Sequence, residues 1–244
     1  MTHKLFFILL TASLLAACSS GRGTPTESFP VTDAPLQTSS EVAPTLPASA
    51  ASPAIPASTA TPKPPLEKDA FMRMPVIPLG VSDAMREVYL RGIENGNDPA
   101  RFAIIGDCQN VSSYFLSAFD NPNDYSLGSE YAYLQPTIED YQGSFSRLSL
   151  AVKGGFNAAA VISPLRADPK LCNAGESPLD CELRAWKPSI VFVSMETWWS
   201  QKPAEEYDKY MRKVLDRIIE FGAVPIIATK ADNLEGDHAI NNAI

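Results

Sequence analysis

Few residues in this chain can do covalent chemistry, and one of them stands at an abrupt turn. The stretch FAIIGDCQN, Phe102 to Asn110, runs a hydrophobic segment straight into Gly106, Asp107 and Cys108. A thiol there can be a nucleophile, attacking as its thiolate, half of a disulfide, or an inert buried group. The other cysteines narrow the choice. Cys172 and Cys181 bracket CNAGESPLDC, a turn-rich segment containing Gly175 and Pro178, and they are expected to pair in an oxidising compartment. Cys108 is then the odd thiol of the domain. No metal site is expected, because the cysteine spacing is not CxxC and His238 is the only histidine beyond the N-terminal leader.

Two further groups of residues need a reading. Glu196 lies in SMETWW, ahead of Trp198 and Trp199, which fit either the rim of a sugar-binding crevice or packing beneath a loop. Asp232 closes TKAD, Thr229 to Asp232, which matches the [NT]KxD box with which GTPases read guanine. A GTPase also needs GxxxxGK[ST] to cradle the phosphates, and Gly-Lys followed by Ser or Thr occurs nowhere in the chain. No nucleotide is therefore expected; Asp232 or Asn233 caps a turn and Lys230 meets a nearby acid. His238 is either a general base or a surface histidine near a helix start. A net charge of -8, a pI near 4.8 and no basic cluster after the leader exclude nucleic acid as a partner. No cofactor is implied.

The elements that must position these groups begin outside the folded part. The N-terminus, MTHKLFFILLTASLLAACSSG, has a cationic start, an apolar run from Leu5 to Leu15 and small residues before Cys18. That order reads as a secretory signal over 1–18. Residues 19–69 are mostly Ser, Thr, Ala and Pro, a composition that buries too little apolar surface to offset its ordering entropy, so a disordered tether is expected. Residues 70–244 make one domain's worth of chain.

Within that domain, FAIIG (Phe102 to Gly106), AAAVI (Ala158 to Ile162), SIVFVS (Ser189 to Ser194) and VPIIAT (Val224 to Thr229) read as buried parallel strands. PAEEYDKYMRKVLDRIIEFG reads as an amphipathic helix, with Tyr207, Met211, Val214 and Ile218 on one stripe, Pro203 at its start and Gly222 at its end. A second helix is expected after Pro136. Strand, helix, strand implies a right-handed crossover and a three-layer α/β fold around an open parallel sheet of flavodoxin-like type. Ligands in such sheets bind at the carboxyl ends of the strands, which puts GDCQN, SMETWW and TKADNLEGD on one rim.

Taken together, RFAIIGDCQN, GSFSRLSLAVKGGFNAAAVISPLRADP, PSIVFVSMETWW and GAVPIIATKADNLEGDHAINNAI resemble the SGNH/GDSL hydrolase superfamily, and within it a group of bacterial secreted proteins. Leu15-Ala16-Ala17-Cys18 likewise resembles the bacterial lipobox, which implies lipidation of Cys18 and an extracytoplasmic domain held at the membrane; ordinary cleavage with an unmodified Cys18 is the alternative. The superfamily resemblance implies an ester hydrolase acting on an acylated surface or external glycan or another ester. Cys108 stands where the family has its serine nucleophile, with Asp107 supporting the turn. Gly154 or Gly155 answers to the family's oxyanion-hole glycine. The Gly-x-Asn-Asp block is replaced by Ser194, Met195, Glu196 and Thr197, so a carboxylate stands where an oxyanion donor belongs. The sequence reaches Ile244 without the Asp-x-x-His block that supplies the family's base, and the expectation is a C-terminally incomplete sheet with an unpaired edge. The contrasting expectation is a non-catalytic module in which Asp107, Glu196, Asp232 and the tryptophans bind a glycan or cation.

Overall fold

The computed structural model describes residues 66–195, 203–231, 233 and 236–244. Cys18, the leader and nearly all of the tether lie outside the described residues, as do Glu196, Trp198, Trp199 and Asp232. The described chain is an α/β structure built on three parallel strands in the order β1 (Asp98–Gly106), β2 (Pro188–Ser194), β3 (Val224–Ile227). Around them lie α1 (Asp83–Glu94), α2 (Gln135–Asp140), α3 (Ala158–Val161), α4 (Pro178–Trp186), α5 (Pro203–Phe221) and α6 (Ala239–Ala243).

Both faces of the sheet are covered, so its strands carry apolar residues at nearly every position. Ala103, Ile105, Val191 and Val193 point to one face, where Val161 of α3, Leu179 and Leu183 of α4, and Tyr207, Met211, Val214 and Ile218 of α5 close over them. The intervening residues Phe102, Ile104, Ile190 and Phe192 face the other way, onto Ile138 of α2, Phe145 and the aromatic residues of the segment between β1 and α2. Phe102 meets the rings of Phe145 and Phe192 edge-on, with centroids 5.0 and 5.3 Å away, the arrangement that ring quadrupoles favour. Among the described residues no strand pairs with the outer edge of β3, and Ile226 there is exposed.

α5 forms where its apolar stripe requires, and its C-terminus is held by α1 and the turn that follows. Arg91 donates to the Ile219 carbonyl at 2.7 Å, and the Asn97 amide donates to the Gly222 carbonyl at 3.2 Å. The Ile219 carbonyl also accepts the Gly222 N–H at 3.0 Å, so Arg91 is its second donor at a helix end where carbonyls lack intrahelical partners. The two backbones touch at Gly92 and Gly222: a Cβ on Gly222, whose φ is +89°, would stand 2.6 Å from the Gly92 Cα.

Two expectations need correction. AAAVI is not a strand: Ala158–Val161 is α3, its first turn capped by Asn157, whose side chain accepts the Ala160 N–H at 2.9 Å. Alanine favours helix, and an Asn cap outweighs a five-residue apolar run that periodicity cannot assign. The segment that does lie beside β1 comes earlier, where Val152 forms a single parallel bridge with Gly106. The stretch ending in Cys181 is also more than a loop. Ser177 and Asp180 form a capping box, Pro178 takes the first helical position, and α4 runs on to Trp186.

Candidate functional site

The turn after β1 is fixed by its own short-range bonds. Gly106 donates its N–H to the Ala151 carbonyl at 3.2 Å and accepts from the Lys153 N–H at 3.3 Å. A Cβ on Gly106 would collide with Oδ1, Cγ and Cβ of Asn110, the last at 2.6 Å; the close approach requires glycine. Asn110 is buried, and its Oδ1 accepts the Asp107 N–H at 3.2 Å. The Asp107 carbonyl accepts the Asn110 N–H at 3.2 Å, while the Asp107 carboxylate accepts the Gln109 N–H at 2.9 Å. This reciprocal capping closes Cys108–Asn110 into one 3-10 turn and leaves the Cys108 thiol exposed and outside any disulfide.

Gly154 meets this turn from the other side. A Cβ built on it would lie 3.8 Å from the Cys108 Cβ, so the side of Gly154 that a side chain would occupy faces the thiol-bearing residue. Gly155 follows in the left-handed region at φ +82°, with open space where its side chain would be. Across the sheet Gly106 is in register with Ser194, and Val193 is in register with Ile227. The carboxyl ends of the three strands therefore share one rim; Glu196 is outside the described residues.

Other expected participants lie elsewhere. His238 begins α6 with φ +55°. Its N–H donates to Asn233 Oδ1 at 2.9 Å, its Nε2 is 3.1 Å from Asn233 Nδ2, and its ring tilts against Phe71 at 5.6 Å. Among the described residues no hydrogen bond joins it to Cys108. Lys230 is tied by backbone rather than by an acid alone: its N–H and carbonyl pair with the Asn241 side chain at 2.7 and 2.9 Å. Cys172 and Cys181 form the expected disulfide. Glu176 lies beside them, but cysteines joined to each other offer no thiolate ligands to a metal. A groove of about 580 Å³ over α4 and α5 is lined by Glu176, Asp180, Arg184, Arg217 and Phe221. Its charged residues are engaged with one another, Glu176 with Arg184, and Asp180 and Glu220 with Arg217.

The reading from residue types missed Asn110 and Glu182. The spacing Asp-x-x-Asn at 107–110 is a capping pattern that would have exposed the first. Nothing in the sequence marks Glu182, a carboxylate with 0% exposure on α4. Comparison of the chain with protein-family models, curated proteins and solved structures gives no match.

Proposed function

We propose that this chain is an extracytoplasmic ester hydrolase of SGNH/GDSL type, with a flavodoxin-like sheet, Cys108 as nucleophile and an acyl group on a surface or external glycan as substrate. The observation that carries the reading is the meeting of Cys108 and Gly154 at the carboxyl end of β1. In this reading the Cys108 thiol gives its proton to solvent, the thiolate attacks the ester carbonyl carbon and forms a C–S bond, and the ester C–O bond breaks, the departing alkoxide taking a proton from solvent. Water then attacks the thioester, releasing the acid and returning the thiol. The backbone N–H groups of Cys108 and Gly154 are the donors offered to the oxyanion, and losing one such donor typically costs about 10² to 10³ in rate. Asp107 supports the turn. The leader and Cys18 are the reason for assigning a lipid anchor, and the disulfide is compatible with that compartment. Among the described residues no helix is long and apolar enough to cross a membrane.

A second reading, a glycan- or cation-binding module without catalysis, is favoured by the engagement of His238 with Asn233 rather than with Cys108. Turnover of p-nitrophenyl acetate separates the two. The hydrolase reading expects turnover by the full chain that is lost in Cys108→Ala. Turnover that survives the substitution removes Cys108 as nucleophile, and none in the parent chain leaves the binding module.

A further inference from the structure

We infer that Glu182 is a positioning residue for the Cys108 site, acting through the segment that carries Gly154. The inference deepens the hydrolase reading and rests on it only for its kinetic readout. Glu182 is wholly buried on α4, where a lone carboxylate would be costly unless paired and hydrogen-bonded. One carboxylate oxygen takes the Arg147 guanidinium, and the other accepts the Leu150 N–H at 2.8 Å. Arg147 in turn stands over the Trp186 ring, 4.3 Å from its centroid, and Arg101 is 4.4 Å from the same centroid. The indole N–H donates to the Phe102 carbonyl of β1 at 2.9 Å, so the whole assembly is referenced to the strand that ends at the site.

The consequence runs along the chain from Leu150. Ala151 and Lys153 make the two bonds to Gly106, and Gly154 comes next, against Cys108. Two bonds to one strand residue are a weak hold on a segment that bridges at a single position. Glu182 supplies the second anchorage, one residue before the first of those bonds, and fixes where Gly154 arrives. A carboxylate is suited to this task because it holds a backbone N–H and a guanidinium with separate oxygens; an amide has one acceptor only.

The test uses the full chain in two variants. Arg147→Met with Glu182→Leu replaces both charges by apolar groups, so no buried charge is stranded. Glu182→Gln keeps one acceptor for Leu150. In the double variant, amide exchange at Gly106 and Lys153 is expected to accelerate by at least about tenfold, while that at Ala103 and Ile105 within β1 stays as it was. kcat for p-nitrophenyl acetate falls by about tenfold or more with KM little changed, since a displaced oxyanion donor is felt only in the transition state. Glu182→Gln lies between, with a selective acceleration of roughly threefold. Exchange that is unchanged in the double variant, or that rises equally over the whole sheet, overturns the inference. Should the double variant not fold, the Gln variant decides, because no selective rise at Lys153 overturns it equally. A parent chain without turnover refutes the hydrolase reading, while the exchange result still decides the role of Glu182.

Discussion

Gly106→Ala is the substitution whose effect the geometry specifies most closely. The new methyl group would collide with three atoms of the Asn110 side chain, which has to leave its place. Overpacking of this kind costs about 1 to 3 kcal/mol, and losing the Asn110 cap on the Asp107 N–H adds about 1 kcal/mol. Relief of glycine's backbone entropy returns roughly 0.5 to 1 kcal/mol, so the net expectation is a loss of about 1 to 3.5 kcal/mol, centred near 2. Asn110→Gly removes the three atoms nearest the methyl group, at the cost of the cap, the buried side chain and glycine's backbone entropy. In that background Gly106→Ala should be close to neutral, giving a coupling of about 2 kcal/mol between neighbours. Urea denaturation of the parent chain, both single variants and the double variant measures all four corners. If Gly106→Ala costs as much in the Asn110→Gly background as in the parent chain, the collision is not the reason for the glycine. The same series reads out the site: alkylation of Cys108 by iodoacetamide should change in Gly106→Ala, because the displaced Asn110 belongs to the turn that presents the thiol.

Two further outcomes can be stated with their measurements. The disulfide closes a loop with a sequence separation of 9, for which chain-entropy arguments give roughly 2.6 kcal/mol at 25 °C. Cys172→Ala with Cys181→Ala should therefore lower the melting temperature by about 5 to 10 °C, and a melt insensitive to the change would refute the estimate. Glu176 has its carboxyl held down to about 2 from an ordinary 4.5, chiefly by the Arg184 guanidinium, against partial desolvation and with help from Asn173. A depressed carboxyl stabilises the fold above its ordinary value, and that contribution is lost as pH falls toward about 2. The stability difference between the parent chain and Glu176→Gln should accordingly be largest above pH 4.5 and fade below it, as followed by thermal melts across that window; a constant difference would contradict the pairing.

The parts legible in the sequence were those where one signal acts alone. The end of β1 and the run of β2 lie between two covered faces, and an uninterrupted apolar run is what that burial demands; β3 carries a similar run at the edge, where Ile226 is exposed. α5 shows its stripe because its other face is wet: Asp208 and Arg212, four residues apart, pair there at 2.8 Å, and Lys209 lies 3.6 Å from Glu206. AAAVI misled because five apolar residues fit a buried strand and a buried helical turn equally well, and the deciding Asn157 precedes the run. α4 was hidden behind its cysteines, whose bracket drew attention from the Ser-Pro-x-Asp helix start between them. At the site, Cys108 and Gly154 were paired through a resemblance rather than through periodicity, and in the structure a Cβ on Gly154 would lie 3.8 Å from the Cys108 Cβ. Glu182 was out of reach, since a glutamate in a helix ordinarily points to water and only the arrival of Arg147 and Leu150, 35 and 32 positions away, offsets the cost of its burial.

The clasp of α1 on the end of α5 bears on when this domain can be completed as it is made. The Arg91 bond to Ile219 spans 128 positions, and the Asn97 bond to Gly222 spans 125. A nascent chain that has emerged only through β2 has made Ala103, Ile105, Val191 and Val193 but not Met211, Val214 and Ile218, which cover them. Its first helix waits for a helix end synthesised more than a hundred residues later. Contacts of such separation slow folding, and until they form the growing chain carries an open apolar face for chaperones, proteases or neighbouring chains to find.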